Sequence, residues 1–132
     1  MIVVDASSAV EMLLNTAAGR ECVRAARGGG PAVVPAHFDA EVYNTLRRML
    51  FSGRITRASL ASLVGQLAEL DAERVSLASY LAGVTPLVDV LGAHDVFYVL
   101  LAIGRACPLL TCDLQLARAA TRLGVDVIAI QP

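Results

Sequence analysis

The chain alternates short, β-branched apolar runs with longer stretches in which apolar residues return every three or four positions. Ile2-Val3-Val4 running into Asp5 predicts a strand over 2–5, buried on both faces because nothing in it alternates with polar residues. An alanine- and leucine-rich segment to about Leu14 predicts the first helix. A second is expected over 16–27, with Cys22, Val23 and Ala26 on one face, stopped by Gly28-Gly29-Gly30-Pro31. Ala32-Val33-Val34 is a short strand closed by Pro35. Over 36–52, Phe38, Val42, Leu46, Met49 and Leu50 recur at helical spacing. Gly53 ends that helix, and a third stripe, Leu60, Leu63, Val64, Leu67 and Leu70, predicts another over 54–70. An edge strand is expected over 73–77 and a helix over 78–91, interrupted near Pro86. Ala93-His94-Asp95 then opens a strongly apolar helix through Ile103. Leu109-Leu110-Thr111 is a buried strand, 114–122 a helix and 125–130 the last strand. Strands and helices taking turns in this way predict an α/β fold, with a central parallel sheet of four to five strands flanked by helices.

Composition narrows the picture. With 132 residues the chain suits one domain, and 56% hydrophobic against 17% charged residues implies a large core, and a partner surface as well. No apolar run reaches the ~20 residues of a membrane-spanning helix, and no basic leader precedes the first strand, so a cytoplasmic protein without a membrane partner is expected. Cys22, Cys107 and Cys112 are odd in number and lack CxxC spacing, which points to core residues rather than a disulfide framework or a zinc site. The triple glycine follows a helix, not a strand, and lacks the residues of a phosphate loop. All 11 positive side chains are arginines, so chemistry that needs a lysine is excluded. The net charge of −1 looks unfavourable for nucleic acid. Setting four of the 12 acids aside in one site leaves 11 arginines against eight acids, a balance of +3 that is compatible with RNA.

Four carboxylates carry the candidate chemistry. Asp5 and Asp113 end buried strands, Asp95 begins an apolar helix, and Glu41 sits beside the apolar face of a helix that follows a strand. In an open parallel sheet, ligands sit outside the carboxyl ends of the strands, where these elements converge. Each residue also admits a structural reading: Asp5, Asp95 and Asp113 as helix N-caps, Glu41 as a boundary residue facing solvent. Taken together they predict an acidic pocket. Such carboxylates raise one another's pKa unless a cation joins them, and hard oxygen ligands favour Mg2+ or Mn2+ over zinc. Hydrolysis of a phosphodiester by metal-activated water is the chemistry such a site supports.

The stretches Val4-Asp5-Ala-Ser-Ser-Ala9, Pro35-Ala-His-Phe-Asp-Ala-Glu41-Val-Tyr-Asn44 and Leu109-Leu-Thr-Cys-Asp113-Leu-Gln-Leu-Ala-Arg-Ala119, with Asp95 opening a late helix between them, resemble the PIN-domain ribonucleases. Within these the chain is most similar to the VapC toxins of bacterial type II toxin–antitoxin systems, and the resemblance covers essentially all of it. It implies a single PIN domain over 1–132 acting as a metal-dependent endoribonuclease on an RNA substrate. Asp5, Glu41, Asp95 and Asp113 would be the catalytic, metal-binding acids for Mg2+ (or Mn2+), with Asp5 and Asp95 the direct ligands. Ser7 and Thr111 match supporting hydroxyl positions, and Asn44, one turn beyond Glu41, is a further supporting candidate, with a solvent-facing side chain the competing reading. A homodimer and a cognate VapB-like antitoxin that blocks the site are implied as well.

Metal-activated water needs no histidine, so His37 and His94 are read as non-catalytic. Arg47, Arg48, Arg54 and Arg57, near the hairpin of the two central helices, are candidate phosphate contacts, with a solvated surface or an inter-subunit salt bridge the competing readings. That hairpin's apolar faces could serve a dimer or ordinary core packing. Asp39 and Asp89 are read as surface acids. A phosphoacceptor signalling domain would share the strand-end acids but needs a lysine after a late strand, which is missing. A catalytically inactive PIN-like binding module is the remaining alternative.

Overall fold

A computed structural model describes residues 1–132 as a five-stranded, wholly parallel sheet in the order β3-β2-β1-β4-β5. The strands are β1 (Ile2–Val4), β2 (Ala32–Pro35), β3 (Ala72–Val75), β4 (Leu109–Thr111) and β5 (Val127–Ala129). Between them run α1 (Ala6–Leu13), α2 (Ala17–Gly28), α3 (Phe38–Phe51), α4 (Arg57–Ala68), α5 (Asp95–Arg105) and α6 (Leu114–Arg122). The α/β expectation of four to five parallel strands holds. β1 lies at the centre, with Ile2 and Val3 fully buried, as an unbroken β-branched run requires.

The chain builds outward from β1 through β2 to β3 and then crosses back to place β4 on the other side of β1. Strand order therefore reverses between β1 and β4. At such a reversal the connections leave in opposite directions and a crevice opens beyond the strand ends. α5 packs across β1, β2 and β4, while α1 leans on α2, α3 and β4. Together they enclose one core whose largest fully buried side chains include Phe38, Leu46, Tyr98, Leu101 and Leu116. Each such side chain contributes roughly 1.5–3 kcal/mol.

The approach of α1 to α2 is unusually close. A Cβ placed on Gly19 would lie 1.9 Å from the Glu11 carbonyl oxygen, so only glycine fits there. Thr16 caps α2 by accepting from the Gly19 amide at 2.9 Å, and its hydroxyl also donates to the Glu11 carboxylate, tying the two helices at their turn.

Some boundaries differ from expectation. α3 starts at Phe38 rather than at 36, because Pro35 ends β2 and Ala36-His37 form the turn. α4 starts at Arg57 rather than at 54, where the Thr56 hydroxyl accepts from the Ser59 amide. The last strand shrinks to 127–129. The expected helix over 78–91 is instead two 3-10 segments, Leu77–Gly83 and Thr85–Leu87, neither with a buried residue. Pro86 supplies no amide, and Val84, Thr85 and Val88 are β-branched, so a short segment without a buried face does not propagate as an α-helix. Of the cysteines, Cys22 and Cys112 are core residues as expected and Cys107 is half-buried. No helix is long and apolar enough to cross a membrane.

Candidate active site

Four segments deliver polar side chains to the crevice between β1 and β4. An open cleft of about 620 Å³ there is lined by Asp5 and Ser7, by Glu41 and Asn44 of α3, by Asp95 and Tyr98 of α5, and by Asp113. All four carboxylates singled out in the sequence thus face one cleft. They are not drawn into a tight cluster: no three His, Cys, Asp or Glu side chains stand close enough to form a finished coordination shell.

Asp5 is the most deeply set, 3% exposed. It caps α1, accepting from the Ser8 amide at 2.9 Å, and its carboxylate also accepts from the Ser7 hydroxyl at 2.8 Å and the Thr111 hydroxyl at 2.6 Å. Both readings of Asp5, as cap and as site acid, are therefore compatible in one residue. Burial pushes its pKa upward, and the bonds from Thr111, Ser8 and Ser7 oppose that rise. A carboxylate offers about four acceptor positions, so three donors leave one available to the cleft.

The two hydroxyls are relays rather than ends. Ser7 Oγ accepts from the Cys112 amide at 3.0 Å, and Thr111 Oγ1 accepts from the Asp113 amide at 2.9 Å. The loop after β4 is thereby fixed to the loop after β1. Asp113 in turn caps α6, accepting from the amides of Gln115 at 2.9 Å and Leu116 at 3.2 Å. Cys112 Sγ lies 3.5 Å from Cys22 Sγ, and burial pushes the Cys112 thiol up to about 12, which makes it a packing residue rather than a nucleophile.

Glu41 is held from α5. The Tyr98 hydroxyl, on a side chain otherwise 1% exposed, donates to Glu41 Oε1 at 2.7 Å. His37 Nε2 and His94 Nδ1 each stand 3.6 Å from the same carboxylate, too far for hydrogen bonds, and their rings stack with centroids 5.4 Å apart. Burial lowers the His37 pKa, and the Glu41 carboxylate opposes that fall. Sequence reasoning missed Tyr98 because it sits in an apolar helix stretch. Its place one turn after Asp95, on the same face, was the available signal.

Asp95 makes no side-chain hydrogen bond, and its pKa is pushed up to about 6, first by burial and then by the charges of Asp113, Glu41 and Asp5. Asn44 lines the cleft with an exposed side chain. Thr45 and Arg48 continue the same face of α3, with Arg48 the one arginine lining the cleft. Arg47 instead lies over the Phe51 ring, 4.8 Å from its centroid, outside the cleft. Arg54 and Arg57 are exposed in and after the turn between α3 and α4 and do not line it either. Asp39 pairs with Arg74 at 3.0 Å on the surface.

A five-stranded parallel sheet with carboxylates gathered at the β1/β4 reversal is the architecture of a PIN domain, and the sequence profile of that domain matches residues 2–122. The chain belongs to the PIN-domain family, and within it to the VapC ribonucleases. It is 40% identical to ribonuclease VapC3 of Mycobacterium tuberculosis over 118 residues, covering 89% of this chain and 86% of that protein. Ribonuclease VapC12 of the same organism is 36% identical over 119 residues, 90% of this chain and 92% of the relative. VapC ribonuclease Mb0985 of Mycobacterium bovis is 32% identical over 117 residues, 89% of each.

Proposed function

We propose that this protein is the toxin of a type II toxin–antitoxin system, an endoribonuclease that hydrolyses RNA phosphodiester bonds with the help of Mg2+ or Mn2+. The observation that carries the reading is the convergence of Asp5, Glu41, Asp95 and Asp113 on one cleft, with Asp95 held at a raised pKa by burial and by the other three. Oxygen-rich donors and uncompensated negative charge fit a hard divalent cation. Asp5 and Asp95 would hold it directly, while Glu41 and Asp113 act through water or a second ion. When bound, such an ion supplies an activated water and neutralises charge on the phosphodiester.

The chain's own contributions follow from its hydrogen bonds and packing. Ser7 and Thr111 keep the Asp5 carboxylate oriented and oppose the effect of its burial, because their hydroxyls donate to its charged form. Tyr98 fixes the rotamer of Glu41 in the same manner. His37 and His94 pack around Glu41 and transfer no proton, and Asn44 supports the polar lip of the cleft. Residues 1–132 act as a single PIN domain, working as a homodimer and neutralised by a VapB-like antitoxin that covers the cleft.

Purified protein incubated with total cellular RNA tests this reading. Cleavage is expected with Mg2+ or Mn2+, none with EDTA, and none from Asp95→Asn. A folded, antitoxin-free protein that leaves RNA intact with metal, or an Asp95→Asn variant that still cuts, refutes it.

A further inference from the structure

The acidic cleft does not end at Asp95. A second cleft of about 470 Å³ also borders Asp95, lined by Gln115, Arg118 and Arg122 of α6 and by the turn at Gly92. Asp95 is the one residue common to both linings, so the two clefts adjoin at Asp95 and can be followed as one groove.

Charge changes sign along that groove. The first part carries the four site acids and Glu11 against Arg48 alone, whereas the second carries two arginines against Asp95. Helical spacing sets both arrangements. On α3, Glu41, Asn44, Thr45 and Arg48 follow at three, four and seven residues and share one face, which puts Arg48 about 10 Å along the axis from Glu41. On α6, Gln115, Arg118 and Arg122 repeat the same spacing. All three arginines are exposed, and none is among the ion pairs of the fold.

A polynucleotide crossing a negative centre exposes more than one phosphate. The one being cut can be neutralised by metal, but its neighbours face carboxylates unless cations meet them on each side. Resting on the ribonuclease reading above, we propose that the Gln115-Arg118-Arg122 face of α6 is a second phosphate-binding subsite, holding the RNA strand on one side of the scissile bond while Arg48 holds it on the other. The substrate is then a strand extending several nucleotides past the cut in both directions, gripped by its backbone.

The test is binding of a fluorescein-labelled single-stranded RNA of mixed sequence to the full chain in EDTA, followed by anisotropy across a salt series. For a single strand, each arginine that no longer neutralises a phosphate lowers the slope of log K against log salt by about 0.7. Arg118→Gln/Arg122→Gln is expected to reduce the slope by about 1.4 and Arg48→Gln by about 0.7, with KM for RNA raised in both. Arg24→Gln/Arg27→Gln removes the same charge from α2, outside the groove, and is expected to change the slope little. An unchanged slope and KM in a folded α6 variant overturns the proposal, as does an equal drop in the α2 control. So does a loss confined to capture of the co-expressed antitoxin, which would make the α6 face a protein-binding surface. Since binding is read without metal, this outcome is independent of whether Asp95→Asn abolishes cleavage, which judges the ribonuclease reading itself.

Discussion

Replacing Asp95 by asparagine is expected to make the metal-free protein more stable while destroying its activity. An ordinary aspartate titrates near 3.8, and burial with three neighbouring acids carries Asp95 to about 6. That displacement corresponds to about 3 kcal/mol of penalty for the ionised form. Asp95 is half-buried, and solvent screening brings this to about 1.5 kcal/mol. The substitution breaks no side-chain hydrogen bond but loses about 0.5 kcal/mol from a negative charge in the first turn of α5. A net gain of about 1 kcal/mol remains, or about 4 °C in Tm for a chain of this length. The pH dependence gives the sharper criterion. A carboxyl whose folded pKa is raised binds its proton more tightly in the native state, so its cost is absent below about 4 and complete above about 6. Scanning calorimetry in EDTA should therefore show the Asp95→Asn advantage in full at pH 7.5 and shrinking towards pH 4. Added Mg2+ should reverse the order, raising Tm for the native protein more than for the variant. A variant no more stable than the native protein at pH 7.5, or a gain that does not change with pH, refutes the repulsion argument.

Gly19→Ala forces a Cβ into the Glu11 carbonyl, and separating α1 from α2 should cost about 2–4 kcal/mol, read as a fall in the urea midpoint with m unchanged. Thr111→Val keeps the shape of a fully buried residue but leaves the Asp5 carboxylate and the Asp113 amide each short of a partner. A loss of about 2–4 kcal/mol is expected, together with an acidic limb of the pH–rate profile moved to higher pH as Asp5 holds its proton longer. An unmoved profile would remove Thr111 from the proposed support of Asp5. Ala106 ends α5 with φ +49°, so Ala106→Gly should relieve left-handed strain and raise stability by about 0.5–1 kcal/mol, measured by thermal denaturation at unchanged activity.

The parts of this structure legible in the sequence are those where one local pattern has one outcome. β1 and β4 are short apolar runs ending in an acid, and burial on both faces leaves them no alternative to the sheet centre. Asp5, Asp95 and Asp113 could be named for the same reason, since each stands where an element begins or ends, and Glu41 because it lies beside the apolar face of α3. Residues 78–91 misled because Leu81, Val88 and Val90 have the composition of a packed helix and are exposed, at 53%, 71% and 51%. Tyr98 and the two histidines around Glu41 were illegible as a group. Their meeting depends on how α5 crosses the sheet beside α3, which no periodicity within either helix encodes. Arg118 and Arg122 likewise gain meaning only once α6 is seen to face Asp95 across a groove.

The bond between Thr111 and Asp5 joins residues 106 positions apart. During synthesis, β1 emerges first and can pair with β2 early, but its other neighbour is still to be translated. At about 5–20 residues per second, the interval before β4 appears is several seconds or more. Through that interval Asp5 lacks one of its three donors, and the loop that carries Asp113 does not yet exist. The cleft is therefore completed only once β4 and the loop after it have been made, and until then a ribosome making this chain carries an unfinished site.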